Sequence, residues 1–259
     1  MCVDRNRNSS QRVNVVLGCM VLFLAMLAFS SDSLLRARDH SMHEGHEGMV
    51  MDNSAADSSP AKLLADKRES EFNHHLAGFF IVLAGMFILA QDRLSARWPK
   101  VRYAWPLCFL LAGIFVLVFS DTELWPFGRQ SWVYGLTQHG EVRQHKSFAV
   151  LILGLGIIEL LRARGNLRAA WSAWVFPVLA IAGSVILLFH QHTGGMHGAG
   201  HMERMVRIQS QHLSYTAAGF GIGLTKGLSE LKTKWQGIFA KLWPSIMIVL
   251  GVLLMFYLE

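Results

Sequence analysis

The sequence predicts an all-α fold: a polytopic membrane helix bundle of about six transmembrane helices behind an N-terminal signal or anchor segment. Three observations predict it. Only 16% of the 259 residues are charged, where a soluble domain carries about 25%. The hydrophobic residues, 52% of the chain, gather into long runs instead of alternating with polar ones. The loops between those runs alternate between strongly and weakly basic, as positive-inside topology requires. The net charge of +6 follows that alternation and so does not argue for nucleic acid.

Taken in order, Arg5, Arg7 and Arg12 precede an apolar run over 13–29, and Ala28-Phe29-Ser30 offers the small residues of a cleavage site. The run is slightly long for a cleaved signal, so residues 1–30 read as a signal peptide or a signal anchor. Residues 31–72 are rich in Ser, Asp, Glu, His and Met without apolar periodicity, the composition of a flexible extracytoplasmic segment. Within it, 62–72 is suited to a short helix leading into the membrane.

Residues 73–259 form the transmembrane domain, with apolar stretches at 75–90, 104–120, 147–161, 174–189, 213–224 and 238–258. Crossing the hydrocarbon core takes about 20 helical residues, fewer where flanking side chains snorkel. The fifth stretch is short and Gly-rich, and becomes long enough only if its helix starts near His201. Gly219 and Gly223 give it a GxxxG spacing suited to close packing on a neighbour, a face by which a small bundle could form a homodimer.

Orientation follows from the loops. Arg93, Arg97, Lys100 and Arg102 lie in one, Arg162, Arg164 and Arg168 in the next alternate one, and Lys226, Lys232, Lys234 and Lys241 in the last. These are expected on the cytoplasmic side of a bacterial inner membrane. The intervening loops hold fewer bases and balancing acids such as Asp121, Glu123 and Glu141.

On this topology all 12 histidines fall on the extracytoplasmic side. His40, His43 and His46 sit in the first external segment, and His74 and His75 open the first span after it. His139 and His145 precede the third span, His190 and His192 end the fourth, His197 and His201 follow, and His212 opens the fifth. A lone histidine at a helix end is ordinarily a polar flank. His75, His145, His190 or His192, and His212 would all enter one layer of a bundle, and neutral imidazole is the commonest metal ligand. A metal or cofactor site in that layer is therefore expected.

Two loop clusters indicate which metal. The first is His40-Ser-Met42-His43-Glu-Gly-His46-Glu-Gly-Met49-Val-Met51; the second runs from His190 through His192, Met196, His197 and His201 to Met202 and Met205. Thioethers prefer Cu(I), imidazole serves several metals, and neither loop holds a cysteine, so the mixture favours copper over a thiolate zinc site. His201, Met205 and His212, at i, i+4 and i+11, share a stripe if one helix carries all three. The bland reading of these clusters is a solvated linker that binds metal adventitiously.

Other residues carry less chemistry. Glu159 can pair with Arg162 three residues on, and the tryptophans, Trp98, Trp105, Trp125, Trp171, Trp174 and Trp243 among them, read mostly as interfacial belt residues. No nucleophile–base constellation, Walker loop or dinucleotide fingerprint occurs, so no enzyme is expected.

The stretch Asp121-Thr-Glu-Leu-Trp125-Pro126-Phe-Gly128, with Gln144-His145-Lys146, His190-Gln-His192 and Gln211-His212-Leu213, resembles bacterial copper-resistance D-type membrane proteins. Asn73-His74-His75-Leu-Ala-Gly78 is similar to the start of the same module, so the resemblance covers residues 70–258. It implies a multi-helix inner-membrane protein that moves copper, a periplasmic copper-binding partner, and His75, His145, His190, His192 and His212 along the metal path. The His/Met-rich leader has no counterpart in that module. Few polar residues occupy the cytoplasmic halves of the spans, which favours capture or delivery of copper on the outer side over translocation. Two alternatives stand beside this reading: a haem b electron-transfer protein with two helix-end histidines as axial ligands, and a metal-free structural subunit.

Overall fold

The computed structural model describes residues 60–189 and 199–258. The chain divides into two compact units, 1–69 and 70–259; the described part of the first is the opening of one helix, and the bundle belongs to the second. The helices are α1 (Pro60–Leu94), α2 (Ala104–Phe119), α3 (Trp132–Gln138), α4 (Gly140–Ala163), α5 (Ser172–Leu188), α6 (Ala199–Glu230) and α7 (Gln236–Met255), with a 3₁₀ turn at Pro99–Tyr103. Among the described residues there is no strand, only an isolated bridge between Leu124 and Gln130.

The six long helices match the six apolar stretches, three of which, 104–120, 174–189 and 238–258, run one to three residues past the helix end. Three segments, Lys67–Leu94, Pro99–Phe119 and Gln236–Met255, are long and apolar enough to cross a membrane, and Ser172–Leu188 is apolar but shorter. Large apolar side chains such as Leu111, Ile114, Val178 and Val249 stand exposed on the outward faces, an arrangement compatible with lipid around the bundle.

The local signals behind the boundaries are ordinary ones. Ser131 caps α3 by accepting from the Tyr134 N–H at 3.2 Å. Glu141 in the first turn of α4 and Arg162 in its last both suit the helix dipole. Past that end Gly165 takes φ +70°, where a side chain would be strained, and Asn166 N–H returns to the Leu161 carbonyl at 2.9 Å.

One boundary differs from the sequence reading. The helix expected over 62–72 is not a short separate one: α1 starts at Pro60 and runs on through the apolar stretch without a break, because Ala, Lys, Leu, Arg and Glu in this segment favour helix as strongly as the apolar run that follows. The fifth stretch does gain its length upstream. α6 begins at Ala199 and passes through positions 201, 205 and 212 as one helix.

Small residues set the helix approaches. A methyl group at Gly223 would come 2.6 Å from Ile181 Cγ1 and 3.0 Å from the Pro177 carbonyl, so the GxxxG face of α6 lies against α5. That face is occupied within the chain, which removes the argument for a homodimer through it. Gly78 and Gly251 cross in the same way: a methyl group on Gly251 would stand 2.7 Å from the Gly78 carbonyl, so only glycine lets α1 and α7 pack this closely.

The tryptophans split into two groups. Trp98 (58% exposed) and Trp171 (43%) are surface residues, as expected of an interfacial belt. Trp105 and Trp243 are not. They are buried with Phe176, the ring centroids lying 5.3–6.3 Å apart, and join α2, α5 and α7. Their position near helix ends suggested a belt, but neighbouring helices cover them.

Candidate functional site

The up-and-down order brings residues 73–75 of α1, the opening of α4 and residues 211–212 of α6 to the same end of the bundle as the ends of α2, α5 and α7. A helix that ends leaves its last carbonyls without intrahelical donors. Here polar side chains of the entering helices supply them. Asn73 donates to the Phe119 carbonyl at 3.5 Å, Gln144 to Phe189 at 3.3 Å, and Gln211 to Leu258 at 2.8 Å while accepting the Leu258 N–H at 3.2 Å. His75 Nε2 lies 3.0 Å from the Tyr257 carbonyl, which can only accept, so that nitrogen carries the proton. His75 thus caps α7.

A regularity follows. In each entering helix an amide that clamps a neighbouring chain end is followed directly by a histidine: Asn73-His74, Gln144-His145 and Gln211-His212. His74 occupies the position equivalent to His145 and His212. Its Nδ1 donates to the Ser70 carbonyl at 2.8 Å, which places the lone pair of the neutral ring on Nε2. The ring stacks on Tyr257 at 4.0 Å between centroids and lies 6.4 Å from that of His212. His212 is 6% exposed and packs against Tyr257 and the edge of Tyr215, at 6.3 and 5.8 Å. Two imidazoles sharing one metal, each nitrogen about 2.0 Å from it, have ring centres about 5 Å apart at a tetrahedral angle and about 6.3 Å apart when the metal lies in line between them. The spacing of His74 and His212, 6.4 Å, stands at the linear limit.

His145 has a different setting. Its Nδ1 lies 3.0 Å from Asp121 Oδ1, while Lys146 Nζ lies 2.8 Å from Oδ2. Lys146 is 2% exposed, and its ammonium also donates to the Leu117 carbonyl at 2.9 Å and to Ser120 Oγ at 3.1 Å. A buried ammonium is tolerated only with this degree of pairing. Burial works against the Asp121 carboxylate, but hydrogen bonds from His145, Lys146 and Ser120 with the His145 charge outweigh it and hold the carboxyl at about 2. Burial likewise depresses His145, and Asp121 overrides it, so this imidazole holds its proton above the ordinary histidine range.

Of the residues singled out from sequence, His75 and His145 are thus engaged by the Tyr257 carbonyl and by Asp121, and His212 is brought against His74. His40, Met42, His43, His46, His190, His192 and His197 lie outside the described residues. The α6 backbone passes through His201 and Met205. Among the described residues no three His, Cys, Asp or Glu side chains gather into one group. Sequence reasoning passed over His74, Tyr257 and the Asp121–Lys146 pair; the repeated amide–histidine dipeptide was the available signal for His74. At the opposite end the expected Glu159–Arg162 pair forms at 2.9 Å.

Compared with protein-family models, with curated proteins and with solved structures, the chain finds no match.

Proposed function

We propose that this chain is a multi-pass inner-membrane protein that captures copper on the extracytoplasmic side, at the histidine-bearing ends of its helices. The observation that carries the reading is the approach of His74 to His212, 6.4 Å between ring centroids, beside the ring of Tyr257 that both pack against. Both rings belong to amide–histidine pairs whose amides are fixed on helix-terminal carbonyls, so the pair is held by backbone. The connection that holds His190, His192, Met196 and His197 leaves from Phe189 and enters α6 at Ala199, towards His201 and Met205. It supplies soft and imidazole ligands suited to Cu(I). In this assignment the leader with His40, Met42, His43 and His46 collects the ion and the bundle end receives it. The dispersed motifs that resemble those of copper-resistance D-type proteins support the same reading. His145, bonded through Nδ1 to Asp121, serves the framework in this reading, and the ion is assigned to His74 and His212.

The test is elemental analysis with a visible spectrum of detergent-purified full-length protein. Stoichiometric copper is expected in the wild type and in His145→Ala, and its loss in His74→Ala/His212→Ala. Copper retained by that double variant, but lost when residues 40–51 are deleted, would place binding in the leader alone. A Soret band would replace the copper reading with haem b. Protein free of metal after copper loading would leave a structural subunit.

A further inference from the structure

The end of the bundle opposite the histidines contains a cavity of about 430 Å³ among α1, α2, α4 and α5. Its wall includes three guanidinium groups, Arg102, Arg162 and Arg168, with Gln91, one carboxylate, Glu159, and the apolar Trp105. The charges do not cancel. Arg162 is taken by Glu159 at 2.9 Å and lies 4.0 Å from Glu230, which Lys226 also holds. Arg102 donates to the neutral Tyr103 hydroxyl at 2.7 Å and Arg168 to the Gly165 carbonyl at 2.9 Å. Neither forms an ion pair with any carboxylate among the described residues. Two positive charges therefore face one concavity uncompensated.

We propose that this cavity binds the phosphate headgroup of an anionic phospholipid. The guanidinium fork matches phosphate oxygens two at a time, and arginine keeps its charge at any physiological pH. A free phosphate ion offers the same chemistry, but two observations favour a lipid as its source. The volume is in the range that holds a small organic molecule, far more than one phosphate needs. Trp98 and Trp171 are also exposed at the same helix ends, and in a bundle that crosses a bilayer exposed tryptophans at helix ends mark the headgroup level. Basic pockets between helices at that level recognise anionic headgroups. The proposal needs only that the helices cross a bilayer, and is independent of the copper reading.

The test uses delipidated full-length protein in neutral detergent and counts bound lipid by native mass spectrometry. The probes are dimyristoyl phosphatidylglycerol and, with the same chains, dimyristoyl phosphatidylcholine. One phosphatidylglycerol per chain is expected, bound about 30-fold more weakly by Arg102→Gln/Arg168→Gln at low ionic strength. Ala169→Trp, which fills the cavity and leaves each charge in place, is expected to weaken it as well; Arg93→Gln/Lys100→Gln, with the same change in net charge, is expected to leave it unaltered. Equal binding of phosphatidylcholine, or equal weakening by the Arg93/Lys100 pair, would overturn the proposal in favour of diffuse surface attraction. Displacement of the lipid by inorganic phosphate, with phosphate alone protecting the wild type against thermal unfolding, would assign the cavity to a soluble anion instead.

Discussion

Replacing Asp121 by Asn tests how the histidine end is held together. The carboxylate is 8% exposed and lies between Lys146, 2% exposed, at 2.8 Å and His145 at 3.0 Å. Removing one partner of a buried ion pair costs about 3–5 kcal/mol, because the other charge stays behind without compensation. Lys146 keeps the Leu117 carbonyl and Ser120 Oγ, and the new amide still offers an oxygen. The expected cost of Asp121→Asn is therefore at or below the bottom of that range, about 2–3 kcal/mol. Asp121→Asn/Lys146→Met removes both charges and is expected to recover most of it. The assay is SDS-induced unfolding from mixed micelles, followed by far-UV circular dichroism. The wild type carries a further signature in pH. Asp121 is held at about 2, below its ordinary 3.8, so its contribution is complete above pH ~4 and is lost as pH falls towards 2. That loss amounts to about 2 kcal/mol and is absent from the Asn variant. His145 shows the same contact from the other side: its raised value makes a contribution present below its ordinary 6.5 that fades as pH rises through the shifted value. A single variant costing under about 1 kcal/mol, or a double variant less stable than the single, would refute this account.

Two further outcomes concern the helix contacts. Gly251→Leu places a side chain where a methyl group already stands 2.7 Å from the Gly78 carbonyl, and is expected to destabilise by about 1–3 kcal/mol or more by forcing α1 from α7; Gly154→Leu, at a position with nothing within 4 Å, is expected to be tolerated in the same unfolding assay. Gln211→Leu removes both hydrogen bonds to Leu258, so faster amide exchange is expected over the last turn of α7 and unchanged exchange in α2.

How much of this was legible in sequence depends on the range of the interaction. The ion pair of Glu159 with Arg162 is local, three residues apart on one helix, and spacing alone revealed it. The extension of α6 to Ala199 was legible as a length requirement of the fifth stretch. The Asp121–Lys146 pair joins a loop after α2 to the start of α4, and no periodicity relates the two positions. His74 and His75 are adjacent on one helix, and sequence cannot say which ring turns towards α6. The neighbours decide that: the Tyr257 carbonyl takes His75, and the Tyr257 ring with His212 receives His74.

The sequence by itself determined the all-α class, the six apolar stretches and the separation of basic from histidine-bearing helix ends, because these follow from composition along the chain and from the length a bilayer demands. Tertiary structure decided what each terminal side chain touches. It put Trp105 and Trp243 into a buried aromatic cluster and closed the α6 glycine face on α5. It also used amides of three helices, Asn73, Gln144 and Gln211, to satisfy carbonyls where the chain leaves three others. The reason is physical: a carbonyl left over at one helix end constrains whichever donor packs beside it, and helix adjacency is a property of the bundle that hydropathy along the chain does not encode.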